Sequence, residues 1–160
     1  MKSTDSSRFL IRKARYEELE MILATQVQAF TIYTNLFSAE QIPPLNESIE
    51  QIQHDLEHKT ILVACKENRV VGSVRYDINL GVCHFELLSV HPDYQKQSIG
   101  QQLVVEIESL VAQQAHKICL ETGLLASDLI SFYSRLGYSG EAILKQHYGQ
   151  FDWIVFSKFL

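Results

Sequence analysis

The 160-residue chain has little that would tie it to a membrane, an oxidising compartment or a nucleic acid. No apolar run approaches the roughly 20 residues needed to span a bilayer. Met1–Arg15 holds charge and serine but no apolar stretch leading to a small-residue cleavage site, so no secretory leader is expected there. Only 3 cysteines occur, Cys65, Cys83 and Cys119, each in an apolar stretch and none in a CxxC pair. Buried free thiols in a reducing cytoplasm follow as the expectation. Prolines number 3 and glycines 7, too few for a collagen-like or low-complexity chain. An excess of basic residues is also missing. With 14 Lys+Arg against 19 Asp+Glu the net charge is −5, which speaks against nucleic acid as a main partner.

What is present is an ordinary globular composition, 46% hydrophobic and 21% charged. One domain over residues 1–160 is the expectation from length, with no internal repeat and no linker. Phe9–Arg12 reads as a short strand. Tyr16–Phe30 follows as a helix with Leu19, Ile22, Leu23, Val27 and Phe30 on one face. Pro43-Pro44 forbids a regular helix through Thr31–Asn46. Asn46 or Ser48 then caps a second helix, with Ile49, Ile52 and Leu56 inward. Thr60–Lys66, Val70–Asp77 and Val82–Val90 read as an antiparallel meander separated by turns at Glu67–Arg69 and Asn79–Gly81.

Gln97–Gln114 reads as the longest helix, with Ile99, Leu103, Ile107, Leu110 and Val111 as its apolar stripe. Lys117–Glu121 is a buried strand, and Ser127–Leu136 a helix ended by Gly137. Two strand-like segments, Ala142–Lys145 and Phe151–Lys158, complete the chain. The order β-α-α-β-β-β-α-β-α-β-β describes a mixed α+β or α/β domain.

The segment from Phe85 to Gly100 carries the most chemistry. A strand ends at Val90-His91-Pro92, and the polar loop Gln95-Lys96-Gln97-Ser98-Ile99-Gly100 opens the long helix. A helix start exposes unpaired N–H groups and a partial positive charge, so such a loop suits an anion, commonly phosphate. Downstream lies Phe132-Tyr133-Ser134-Arg135-Leu136-Gly137-Tyr138. Together the two motifs resemble the GNAT superfamily of acyl-CoA-dependent N-acyltransferases. That family's loop reads Arg/Gln-x-x-Gly-x-Gly/Ala, and its later signature reads Phe-Tyr-x-x-x-Gly-Phe/Tyr. The resemblance covers nearly the whole chain and includes the element order. Ser98 stands where the family usually has its first glycine, and Ala126 where it often has asparagine.

The resemblance implies a GNAT-like fold with a central, mostly antiparallel sheet flanked by helices. It implies acetyl-CoA as co-substrate and no metal. Backbone groups of Leu88, Ser89 and Val90 would border the pantetheine arm. Gln95, Lys96, Gln97, Ser98, Ile99, Gly100 and Gln101 would hold the pyrophosphate. Tyr133 would sit by the sulfur and protonate the departing thiolate. The acceptor side, formed in the family by the first helices and the late strands, holds Phe30, Tyr33, Asn35, Phe37 and Tyr148 here. The implied partner is a small-molecule or peptide amine, and a homodimer is compatible with so small a domain.

Direct N-acyl transfer needs a neutral amine, hence a group to take its proton. Glu86 is the first candidate base and His84 the second, acting directly or through water. On a regular strand residues 84, 86, 88 and 90 share a face. A non-catalytic acyl-CoA sensor or accessory module of the same fold is the alternative reading. His54-Asp55-Leu56-Glu57-His58 matches the letters of an H-x-x-E-H zinc motif. Both histidines fall on the helix face opposite Ile52 and Leu56, so a solvated polar face is the expectation there.

Overall fold

A computed structural model describes residues 9–160, so the part of the Met1–Arg15 reading before Phe9 lies outside the described residues. The elements run β1 (Leu10–Lys13), α1 (Leu19–Phe30), α2 (Ile49–His58), β2 (Thr60–Lys66), β3 (Arg69–Asn79) and β4 (Val82–Val90). Then come α3 (Ile99–Val111), β5 (Lys117–Gly123), α4 (Ser127–Arg135), β6 (Ser139–Leu144) and β7 (Trp153–Phe159). This is the element order read from the sequence. Short 3-10 turns replace regular helix through the proline-bearing segment between α1 and α2.

The seven strands form one sheet in the order β1-β2-β3-β4-β5-β7-β6. All neighbours are antiparallel except β4 and β5, which are parallel. Alternation along β2 shows why helices cover both faces. Leu62 and Ala64 join one core with Leu103 and Ile107 of α3, while Ile61 and Val63 join another with Ile22 of α1 and Ile52 of α2. Each such fully buried aliphatic side chain stabilises the fold by roughly 2 kcal/mol.

Three details differ from the sequence reading. The first is the stripe of α3, which takes in Val104 and leaves out Leu110. Leu103, Val104, Ile107 and Val111 are all buried, whereas Leu110 is 42% exposed. The second is the length of α3, which is shorter than Gln97–Gln114, beginning after Ser98 and ending at Val111. The third lies in α1, where Leu23, Val27 and Phe30 are only partly buried and the polar Thr25 and Gln26 are buried. Both polar groups are bonded there: Thr25 Oγ1 donates to the Val70 carbonyl at 3.1 Å and Gln26 Nε2 to the Pro44 carbonyl at 2.9 Å.

The entry to α1 rests on Glu18, which accepts from Arg12 Nη1 and Nη2 at 3.0 and 2.5 Å and from the Arg15 backbone N–H at 2.9 Å. The Arg12 hydrogen bond holds the Glu18 carboxyl below the ordinary range, against the opposing effect of burial. A depressed carboxylate stabilises the fold above its unfolded pKa of about 4.3, and the contribution is lost as pH falls through the folded value. Glu18→Gln is therefore expected to cost about 1–2 kcal/mol at neutral pH and progressively less in acid, read by urea unfolding across pH.

Candidate active site

The site begins where β4 and β5 part. They pair only from Val82–Lys117 to His84–Cys119. Beyond that, β4 stays with β3 and β5 stays with β7. The β4 side carries a bulge: Arg75 pairs with Glu86 and Ser73 with Ser89, leaving Leu87 and Leu88 opposite Val74 alone. Leu87 takes up the extra residue at φ 56°. The Ser89 hydroxyl donates to the Leu87 carbonyl at 3.0 Å.

This bulge corrects the regular-strand expectation. His84 and Glu86 share their face with Ser89, not with Leu88 and Val90, because one inserted residue reverses the alternation. Leu88 and Val90 instead pack toward the α3 core.

A cavity of about 560 Å³ opens at the split. His84, Glu86 and Leu88 line it from β4, Glu121 and Thr122 from β5, and Tyr133 from α4. Glu86 is hydrogen-bonded to Lys59. Burial has the largest single effect on the Lys59 ammonium and pulls its pKa down, but the bond to Glu86 and the negative charges of Glu86, Asp55 and Asp77 together leave it raised. Lys59 also lies 3.5 Å from Asp55, which accepts from Arg75 Nη1 at 2.8 Å. Arg75, 1% exposed, further donates to Glu47 at 2.6 and 2.8 Å and to Gln26 at 2.8 Å. The candidate base is thus the outer end of a buried ionic chain.

Glu121 is the carboxylate that sequence reasoning missed. It lies on the same face of β5 as Cys119, the register partner of His84, and lines the split with Glu86. Among the described residues it has no hydrogen bond or ion pair. The available signal was a charge directly following the apolar segment Ile118 to Leu120.

Tyr133 is 5% exposed, and its ring packs against Phe85, Tyr138 and Phe156 at centroid distances of 6.0, 6.1 and 6.1 Å. Burial raises its pKa, so the phenol keeps its proton at neutral pH. Cys83 is buried and its thiol is pushed up to about 12 by burial, which leaves it un-ionised. Cys65 is also buried, whereas Cys119 is only partly so, a departure from the expectation of three buried thiols.

A second cavity, of about 410 Å³, lies at the start of α3. Gln95, Lys96, Ser98, Ile99, Gly100 and Gln101 line it with Val90, while Gln97 and Ser89 do not. The helix start has no side-chain cap and no acidic residue in its first turn, so its N–H groups remain open to an anion. Ser98 sits at φ 62°, in the left-handed region that glycine occupies without strain. Ser98→Gly is expected to raise stability by about 1 kcal/mol in urea unfolding.

On the acceptor side, Phe30, Tyr33, Phe37 and Tyr148 line the first cavity. Asn35 does not; it is exposed at the end of the 3-10 turn Thr31–Asn35. Tyr33 donates to Asp128 at 2.8 Å, joining this segment to α4 between the two cavities. Phe151 and Trp153 are further lining residues that sequence reasoning did not single out. His54 and His58 are exposed and stacked at 4.1 Å, and among the described residues no group of three metal-ligating side chains gathers. No helix among the described residues is long and apolar enough to cross a membrane.

Known proteins resemble this chain in sequence and in fold. The family model described as "Acetyltransferase (GNAT) domain" matches residues 57–139, just over half of the chain. UPF0157 protein YqkA of Bacillus subtilis (strain 168) is 27% identical over 131 residues, covering 80% of this chain and 36% of YqkA. The chain thus spans about a third of that relative's length. PaiA N-acetyltransferase from Thermoplasma acidophilum, solved in complex with coenzyme A, superposes with a TM-score of 0.84 at 21% identity, covering 96% of this chain and 99% of that one. The ribosomal-protein-S18-alanine N-acetyltransferase from Escherichia coli superposes with a TM-score of 0.76 at 17% identity, covering 94% of this chain and 92% of that one. At those identities the superpositions speak for the fold, and the family match adds the rest: the chain belongs to the GNAT acetyltransferase domain family.

Proposed function

We propose that the protein transfers an acetyl group from acetyl-CoA to a primary amine by direct attack in a ternary complex. The observation that carries this reading is the split between β4 and β5, with carboxylates on both arms and the Tyr133 phenol lining the same cavity. Acetyl-CoA supplies the acyl thioester. The open N–H groups at the start of α3, with Lys96 nearby, suit its pyrophosphate. The backbone of β4 through Leu88 and Val90 would border the pantetheine arm.

The amine must lose a proton before its lone pair can form the new N–C bond. Glu86 and Glu121 are the candidate bases, with His84 behind them. Glu86 is engaged by Lys59, so Glu121 is the freer of the two carboxylates. As the C–S bond breaks, Tyr133 gives its proton to the sulfur. Its buried, neutral phenol suits that step.

The test has two parts. Acetyl-CoA should raise the unfolding temperature, with a shift that grows logarithmically with ligand concentration. A set of amines should then release CoA thiol in an acceptor-dependent way. A flat thermal response up to millimolar acetyl-CoA would sink the proposal. Binding without acceptor-dependent release would favour a non-catalytic acyl-CoA module.

A further inference from the structure

Two segments remote in sequence meet beside the first cavity. Gln41 Nε2 donates to the Gly149 carbonyl at 3.0 Å. Gly149 has a φ of 69°, and a Cβ there would overlap the Gln41 carbonyl. Beside this contact Phe37 stacks on Phe151 at a centroid distance of 4.0 Å, and Phe151 stacks on Trp153 at 5.1 Å. The loop before α2 and the turn before β7 are therefore one wall, not two banks of a groove.

The wall also stands at a defined distance from the carboxylates. Phe151 and Phe37 abut Gly123, where a Cβ would meet them at 3.2 and 3.9 Å. Gly123 pairs with Trp153, and Glu121, two residues earlier on the same face, pairs with Val155. Two residues along a strand span about 7 Å, which a short alkyl link between an amine and a ring can bridge. Three carboxylates line the cavity: Glu47 is doubly bonded to Arg75, and Glu86 and Glu121 stand at the split, while the wall of Phe37, Phe151 and Trp153 is uncharged.

We infer that the acceptor is a small primary amine with a flat, apolar body, its ammonium at Glu121 and its body against the Phe37–Phe151–Trp153 wall. This rests on the acetyl-transfer reading. A second ammonium placed at the wall would shed water there, an effect that attraction to the ring faces only partly offsets, and Glu47 elsewhere in the lining is already paired with Arg75. An extended polypeptide finds no groove between the loop before α2 and the turn before β7, which the Gln41–Gly149 hydrogen bond joins.

The test compares 2-phenylethylamine, spermidine and an alanyl peptide, both as acceptors and as ligands of the CoA-bound protein in calorimetry. The expected result is a preference of about tenfold or more for 2-phenylethylamine. Trp153→Ala, and the milder Phe37→Leu, should weaken its binding while leaving CoA affinity unchanged. Preference for spermidine or the peptide, or no binding of 2-phenylethylamine, overturns the inference. Trp153-dependent binding of 2-phenylethylamine without turnover upholds this acceptor site and counts against the transfer reading instead.

Discussion

Tyr133→Phe is expected to lower kcat by about 100-fold or more while leaving KM for acetyl-CoA nearly unchanged. The substitution removes one oxygen and keeps the ring among Phe85, Tyr138 and Phe156. No hydrogen bond from the hydroxyl is present among the described residues, so stability should move by less than about 0.5 kcal/mol. A packing role therefore predicts near-normal turnover, and an acid role predicts a large loss. Burial raises the phenol pKa, so the wild-type acid limb should lie above the ordinary tyrosine range. Acceptor-dependent CoA release measured across pH separates the cases. Full turnover by Tyr133→Phe at every pH would rule out the acid role.

The motifs at Gln95–Gly100 and Phe132–Tyr138 were legible because they are local: a strand end, a loop and a helix start lie in one stretch of chain. The same holds for the element order, since the continuous apolar run of β2 and the apolar spacing in α3 report directly on burial. The parts that were not legible depend on pairing between distant strands. The bulge at Leu87 is a register shift against β3, and nothing in Glu86-Leu87-Leu88-Ser89 announces it. It decides which side chains share a face with Glu86. Glu121 was missed for a related reason. Its role depends on β5 lying parallel to β4 for only three residues and then diverging. The aromatic wall depends on a contact between residues 37 and 151, and no periodicity in either segment encodes that meeting.

Arg75→Ala is expected to be the most destabilising single change, at about 3–5 kcal/mol in urea unfolding. The guanidinium is almost wholly buried and joins Gln26 of α1, Glu47 of the following loop and Asp55 of α2 to β3. Removing it leaves Glu47 and Asp55 as neighbouring carboxylates without their main cation. The cost is that of stranded charge, so neutralising those partners should recover part of it. Arg75→Met combined with Glu47→Gln and Asp55→Asn is expected to be clearly more stable than Arg75→Ala. If the triple variant were no better, the loss would belong to packing and not to charge. The same chain reaches Glu86 through Asp55 and Lys59. A folded Arg75 variant should therefore also show an altered acceptor KM, because Lys59 would be drawn toward the unpaired Asp55 and away from Glu86.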